Sequence, residues 1–170
     1  MPNPLSLDTL NEVGVLKRRE IEARILAPLI GAFATEFGRE RVLEIARGVI
    51  VQIAREQGRS LAEQMGGNSL ARFVTSKENW VKGDALSMEV RQVSDSAYDF
   101  DVTRCRYAEM YRVLGISELG AVLSCGRDFA WGEGFNPDLK LTRTQTIMEG
   151  APCCDFRYRL ETPTAPTPAE

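Results

Sequence analysis

The first half of the chain has the apolar spacing of long amphipathic helices. Between residues 10 and 37 apolar side chains recur every three to five positions with Arg and Glu between them, and Gly38 is well placed to end this helix. A second helix is predicted over residues 40–65, and a third begins after Ser69, its N-cap, and runs to Trp80. The predicted buried side of the second helix consists of Val42, Leu43, Ala46, Val49, Ile50, Ile53 and Ala54.

Past Gly83 the apolar pattern changes to a period of two, which is typical of strands. Alternation over residues 86–92 and 97–104 predicts an antiparallel hairpin. Two further strands are predicted over residues 139–148 and 154–160, on either side of a Gly- and Pro-containing turn.

Helical spacing returns between the two predicted hairpins. It predicts a helix over residues 105–114 that stops at Gly115, and another over residues 118–133 that Ser117 caps. This order of elements predicts an α+β fold, in which N-terminal helices pack on an antiparallel sheet of about four strands, with two further short helices.

A length of 170 residues favours one domain rather than two. We predict a single domain over residues 11–160, a flexible tail over residues 1–10 and a disordered, Pro- and Thr-rich tail over residues 161–170.

Charge and hydropathy narrow the classes of partner. The balance of 21 basic against 24 acidic side chains lacks the basic excess of a non-specific nucleic-acid binder, so no nucleic-acid partner is expected. No apolar run approaches the ~20 residues that span a bilayer, and the first residues do not resemble a signal peptide. We therefore expect a cytoplasmic protein with a small-molecule partner and no membrane contact; a homo-oligomer is compatible with the sequence.

The chain contains no histidine, which excludes Ser-His and Cys-His nucleophile pairs and His-ligated zinc. Chemistry must then come from Cys, Asp, Glu, Lys, Tyr or a bound ion. Metal binding by Cys and carboxylates has no spacing signature here, so neither a metal nor a cofactor is predicted. The four cysteines, which we expect to be reduced thiols, are Cys105, Cys125, Cys153 and Cys154.

Two predicted helices bring thiols near carboxylates. Helical geometry places Cys105 and Glu109 on one side of the 105–114 helix, facing either water or a polar cavity. On the next helix it places Cys125 between Asp128 and Glu133. Two carboxylates raise a thiol pKa, but they are suited to hold a cationic amidinium and to move protons. The alternative is that Cys125 packs as a small apolar residue while both carboxylates face solvent.

The last two predicted strands carry arginines. Arg143 and Arg157 could form a fork that binds a carboxylate. The alternative is an exposed sheet face with cross-strand ion pairs. Cys154 alternates with Phe156 and Tyr158 and is expected on the core side.

Six ordered motifs identify a family. They are Cys105-Arg-Tyr-Ala-Glu-Met-Tyr, Glu118-Leu-Gly, Cys125-Gly-Arg-Asp-Phe-Ala, Glu133-Gly-Phe-Asn-Pro, Thr142-Arg-Thr-Gln-Thr-Ile-Met-Glu-Gly and Cys154-Asp-Phe-Arg-Tyr. Over roughly residues 67–158 the chain resembles the L-2-amino-thiazoline-4-carboxylic acid hydrolase family, whose members open a cyclic amidine-like ring by hydrolysis on the route to L-cysteine.

The resemblance implies a hydrolase of a carbon–nitrogen bond in a small cyclic amidine or amide. Cys125, or water beside it, would attack the amidine carbon, while Asp128 and Glu133 bind the nitrogens and transfer protons. Arg143 or Arg157 would hold the substrate carboxylate. The wall of the pocket would be completed by Cys105, Glu109 and Cys154. Two other classes stay open: a non-catalytic binding or sensor domain with the same cavity, and a structural adaptor with buried thiols.

Overall fold

The computed structural model describes residues 13–161 of the chain. The predicted N-terminal tail, and the predicted C-terminal tail apart from Glu161, lie outside the described residues. The division into one domain and two tails therefore stays a prediction. None of the helices within residues 13–161 combines the length and the apolar character needed to cross a membrane.

Four helices form the first half of the described chain. Helix α1, Val15–Phe37, and helix α2, Arg39–Gln64, are joined by Gly38 alone, whose φ of 84° is a left-handed conformation that favours glycine. Helices α3, Leu70–Ser76, and α4, Glu78–Val81, follow. Ser69 is the N-cap of α3 as predicted, because its side chain accepts a hydrogen bond from the backbone N–H of Arg72.

The second half supplies an antiparallel sheet and the helices between its hairpins. The strands are β1, Leu86–Val93, β2, Ala97–Cys105, β3, Leu139–Thr142, and β4, Cys154–Leu160, in the order β1-β2-β4-β3. Between β2 and β3 lie α5, Arg106–Val113, α6, Ser117–Gly120, a π-helical turn, Ala121–Cys125, and α7, Arg127–Phe135. A short 3₁₀ turn, Ile147–Glu149, precedes β4. The α+β class predicted from the sequence is confirmed.

The strand predicted over residues 139–148 is too long. It ends at Thr142, because the carboxylate of Asp155 then accepts hydrogen bonds from the backbone N–H groups of Thr144, at 3.0 Å, and Gln145, at 2.9 Å. A side chain thus replaces the neighbouring strand as the partner of this backbone, and the chain leaves the sheet.

The helix predicted over residues 118–133 is also wrong as one continuous element. The π-helical turn divides it, and the backbone N–H of Gly126 donates to the carbonyl oxygen of Ala121, five residues earlier, at 2.8 Å. A regular α-helix would bond four residues back.

The core has two apolar clusters, one among the helices and one between the helices and the sheet. In the second, alternate side chains of β2 and β4 face the helices, among them Phe100, Phe156 and Tyr158. Cys105 contacts both clusters, so the end of β2 lies where they meet.

Helices α2 and α7 touch through their backbones. A Cβ added at Gly58 would lie 2.2 Å from the carbonyl oxygen of Trp131, and one added at Gly134 would lie 2.0 Å from that of Arg55. Each helix therefore places a glycine against the main chain of the other. This contact fixes the position of α7 on α2.

The outer surface of α2 differs from the prediction. Its buried apolar residues include Val42, Leu43, Ile50 and Ala54, whereas Val49 and Ile53, which were expected in the core, are 51% and 39% exposed. The apolar stripe of α2 is wider than the surface that its neighbours cover.

The contact between α2 and α7 predicts a large effect of a small substitution. Gly58→Ala should lower the free energy of unfolding by about 2–3 kcal/mol, because the methyl group meets backbone that cannot move aside without separating the helices. Chemical denaturation followed by circular dichroism measures the loss. Glu56→Ala, an exposed change one half-turn away, is the control and should stay within about 0.5 kcal/mol of the wild type. Equal stability of the two variants would contradict the close contact.

Candidate functional site

A largely buried ion pair lies between α7 and the chain that follows β3. The guanidinium of Arg143 donates through Nη1 to Oδ2 of Asp128, in the first turn of α7. Its Nη2 donates to the carbonyl oxygen of Cys125 at 3.2 Å. The side chains of Arg143 and Asp128 are 8% and 17% exposed. The end of the π-helical turn thus presents a backbone acceptor, and the first turn of α7 presents a carboxylate, to one arginine.

Aromatic rings enclose the cation of this pair. The guanidinium carbon of Arg143 lies 5.2 Å from the ring centroids of both Phe129 and Phe156. Cations are attracted to the faces of such rings when water is excluded. Arg143 is therefore positioned by charge, by hydrogen bonds and by packing.

Lys77 places a second basic side chain, also buried, near the pair. Its Nζ lies 3.5 Å from the ring centroid of Trp80, 4.0 Å from that of Phe73 and 4.1 Å from that of Trp131. The residue is 3% exposed, and Nζ has no hydrogen-bond partner within residues 13–161. Burial lowers the pKa of Lys77 well below its usual range, while the charge of Asp128 acts in the opposite direction.

Lys77 is not among the site residues predicted from the sequence. A signal was present, since Phe73 and Trp80 flank it at positions four before and three after, which helical geometry brings to the same side. Tyr158 of β4 adds a fourth ring, 5.1 Å from Nζ, and its buried hydroxyl also lacks a partner among the described residues.

Three thiols are grouped around Asp128. Burial raises the pKa of Cys105, Cys125 and Cys154, the last to about 11, and the charge of Asp128 raises each of them further. For Cys125 the positive charge of Arg143 acts in the other direction, but the net shift is upward. All three are free thiols that are protonated at neutral pH.

Two of these thiols also accept hydrogen bonds from the backbone. Sγ of Cys105 accepts a hydrogen bond from the backbone N–H of Ala108 and caps α5, and Sγ of Cys154 accepts one from the backbone N–H of Ile147. Within residues 13–161 Sγ of Cys125 accepts no such bond, and the carbonyl oxygen of Cys125 binds Arg143 instead.

The surroundings of Asp128 make its carboxylate suited to accept a proton. Burial raises its pKa above the ordinary value, and the charges of Arg143, Lys77 and Arg127 partly oppose that rise. A carboxylate with a raised pKa is a stronger base than an exposed one.

The structure does not bring the two expected glutamates to this pair. Glu133 was expected beside Cys125, but its side chain is 44% exposed and binds Arg55 of α2 at 3.1 Å. The angles that placed it beside the thiol assumed a regular α-helix, which the π-helical turn interrupts. Glu109 is also 44% exposed and binds Arg104 through both carboxylate oxygens, at 2.8 and 3.1 Å.

The expected fork of Arg143 and Arg157 is not formed. Arg143 lies over Phe156, which faces the helices, and the next residue along β4, Arg157, points to the opposite face of the sheet. There Arg157 binds Asp101 of β2 at 2.7 Å. For Arg157 the alternative of a cross-strand ion pair is the one that the structure shows.

Within the described part of the chain, no three Cys, Asp or Glu side chains are arranged to hold a metal ion. The arrangement offers instead a proton acceptor, a buried guanidinium, a buried amine and polarizable rings in one place. Such a set can bind a small molecule that carries both charges.

Comparison with solved structures finds likeness at the level of the fold. The phenol-responsive sensory domain of the transcription activator PoxR, with phenol, has a TM-score of 0.51 and 13% identity over 79% of this chain and 72% of that one. A trafficking protein particle complex subunit 3 from Naegleria fowleri, covalently bound to palmitic acid, has a TM-score of 0.50 and 11% identity over 84% and 97% of the two chains. Among curated proteins, none matches the sequence.

A family model gives the more specific result. It matches residues 18–158, a range that includes α2, Lys77, Cys125, Asp128 and Arg143. The chain therefore belongs to the L-2-amino-thiazoline-4-carboxylic acid hydrolase family.

Proposed function

We propose that this protein is a hydrolase that opens the ring of a small cyclic amidine bearing a carboxylate, by cleaving a carbon–nitrogen bond. Membership of a hydrolase family supports the reaction class. The observation that carries the proposal is the largely buried pair of Asp128 and Arg143 beside Cys125.

The pair matches the charges of such a substrate. A zwitterion with a carboxylate and an amidinium can exchange partners with the protein, so that its carboxylate binds Arg143 and its amidinium binds Asp128. Every buried charge then keeps an opposite charge, which avoids the cost of an uncompensated ion. Arginine binds carboxylates through two parallel hydrogen bonds, and this geometry would orient the ring.

Asp128 is the proposed general base. It takes a proton from water while the water oxygen bonds to the amidine carbon and the C=N electron pair moves to nitrogen. The tetrahedral intermediate then collapses: an oxygen lone pair forms the C=O bond, the ring C–N bond breaks with its electrons on nitrogen, and that nitrogen takes the proton back from Asp128. The hydroxyl proton passes to the released amine, which leaves as an ammonium. The carboxylate is regenerated, and one water molecule is consumed.

Attack by water is favoured over attack by the thiol of Cys125. A thiol is nucleophilic as the thiolate, and burial together with Asp128 raises the pKa of Cys125. We assign Cys125 to the wall of the site, where its carbonyl oxygen holds Arg143.

A non-catalytic sensor is the second candidate. A domain of the same fold, from PoxR, is described with phenol, a small aromatic molecule. The aromatic rings around Lys77 and the unpartnered hydroxyl of Tyr158 are groups that could bind a ring of that kind. Binding of cyclic amidines without turnover would favour this candidate.

Asp128→Asn should reduce kcat/KM at least 100-fold on L-2-amino-thiazoline-4-carboxylate or the best substrate of a cyclic amidine panel, because the base is lost. The variant leaves Arg143 without its counter-ion and should lose about 3 kcal/mol of stability, so turnover is measured where circular dichroism shows it folded.

In the wild type kcat/KM should fall as the pH drops through the pKa of Asp128, which burial raises above the ordinary ~3.9.

Glu133→Gln is the matched control, because its carboxylate lies in an exposed ion pair. The kcat/KM of Glu133→Gln should stay within about threefold of the wild type, because a screened surface charge has little effect. Its decrease at low pH should also be the same as in the wild type. Loss of turnover in Glu133→Gln with full activity in Asp128→Asn would overturn the assignment.

Cys125→Ser separates the two nucleophiles. If water attacks, the variant should retain turnover within about tenfold and stability within about 1–2 kcal/mol, since the substitution changes little volume. Steady-state kinetics and thermal unfolding measure both. Complete loss of turnover in a folded Cys125→Ser protein would assign the attack to the thiol.

Lys77→Met tests whether the buried amine is kept for function. Wild-type stability should rise as the pH increases from the lowered pKa of Lys77 toward the ~10.4 of an unfolded lysine, since the unfolded chain binds more protons there. The variant should lose this rise, be at least as stable at neutral pH and turn over substrate at least tenfold more slowly, a loss expected when a polar group that interacts with the base is replaced by an apolar one. Exposed Lys82→Met should change none of these quantities; unchanged turnover in Lys77→Met would make Lys77 purely structural.

A further inference from the structure

Helix α1 exposes a long apolar stripe. Five large apolar residues spaced four apart are between 46% and 65% exposed. They are Ile21, Ile25, Leu29, Phe33 and Phe37. Isolated exposed apolar residues are ordinary on a protein surface, but a contiguous row of them indicates contact with another surface.

The buried residues of α1 make this stripe more unusual. Its residues that face the rest of the chain include Arg18 and Arg19, which are buried, together with Ala23 and Ile30. The helix thus turns two arginines inward and its largest apolar side chains outward. The core of this chain does not account for the outward stripe.

The exposed apolar area has the size of one side of a stable interface. Ile45, Val49 and Ile53 of α2 form a second exposed row with the same spacing. At about 200 Å² for one fully exposed large apolar residue, the two rows together expose roughly 800 Å². The largest apolar patch of a typical monomer is about 300–600 Å², and a standard interface buries about 800 Å² on each partner.

The composition of the stripe is suited to pairing with the same stripe on a second copy of the chain. Residues 25–35 contain no charged side chain, so two such surfaces meet without like-charge repulsion. Gly31 is exposed within this segment, and no atom outside its own helix backbone and chain neighbours lies within 4 Å of a Cβ added there. A glycine inside a helix costs about 0.5–1 kcal/mol relative to alanine, and its lack of a side chain leaves room for an external surface to approach closely.

The spacing of the stripe is symmetric about Leu29. If two copies of α1 pair antiparallel around a two-fold axis at this residue, Leu29 meets Leu29 of the partner subunit. Ile25 then faces the partner's Phe33, and Ile21 faces the partner's Phe37. Each large side chain has an apolar counterpart, as an isologous interface requires.

We propose that the outward stripe of α1, together with the exposed row of α2, forms the interface of a two-fold symmetric homodimer. The proposal concerns assembly and does not depend on the proposed reaction. It commits to a second copy of this chain as the occupant.

Light scattering coupled to size-exclusion chromatography tests it on the full chain. The wild type should have twice the 18.9 kDa mass of one chain. Leu29→Glu should weaken the dimer at least 100-fold, because two buried carboxylates would face each other at the axis. Val113→Glu, at a residue that is 88% exposed on α5, is the matched control and should leave the dimer intact.

Cross-linking keeps the test decisive if Leu29→Glu folds poorly. Leu29→Cys should form a covalent dimer on mild oxidation, since the two thiols meet at the axis, whereas Val113→Cys and the wild type should not. A wild type that is monomeric throughout the micromolar range overturns the proposal, as does a dimer in which neither Leu29 variant differs from its control.

Two other occupants predict different results. If residues 1–12 cover the stripe, the full chain is monomeric and a chain that begins at Val13 dimerises. If a lipid surface covers it, the monomeric wild type sediments with phosphatidylcholine vesicles and Leu29→Glu does not. Either outcome would overturn the homodimer.

Discussion

The carboxylate of Asp128 depends on two basic side chains that are themselves out of water. An ionised carboxylate loses most of its hydration when it is buried, and only opposite charges and hydrogen bonds offset that loss. Arg143 supplies both, and Lys77 places an amine nearby, within a set of aromatic rings. The chain segments that carry these groups must stay in place together for any one of them to be tolerated. The buried charges therefore join α7, the segment after β3 and the α3–α4 corner into one unit.

The packing of α2 against α7 fixes the position of Asp128. Gly58 and Gly134 let the two backbones touch, and α7 cannot rotate or slide without a clash along that contact. The sheet positions Arg143, because Phe156 of β4 packs against its guanidinium. Asp155, the preceding residue, binds the backbone that follows β3 and directs it away from the sheet. Neighbouring residues of one strand thus act on the two faces of the sheet.

The sequence predicted which strands and helices are present better than where they end or are interrupted. Alternation located β2 and β4 because one face of each is buried, and the family motifs identified Asp128 and Arg143. Periodicity could not reveal where β3 ends, since that depends on the side chain of Asp155, which is distant in sequence from the backbone it binds. Lys77 was overlooked because a lysine in a short helix is usually exposed, and its burial follows from rings brought in by α7 and β4.

The π-helical turn before α7 has a consequence for how this segment can vary in evolution. Five residues, Ala121–Cys125, form the turn, and the backbone bond from Gly126 to Ala121 spans one residue more than an α-helical bond. Insertion or deletion of a single residue there would convert the turn to another helical geometry and rotate Asp128 away from Arg143. Substitutions leave that register unchanged. Relatives that share the ion pair should therefore differ in the identity of these residues but not in their number.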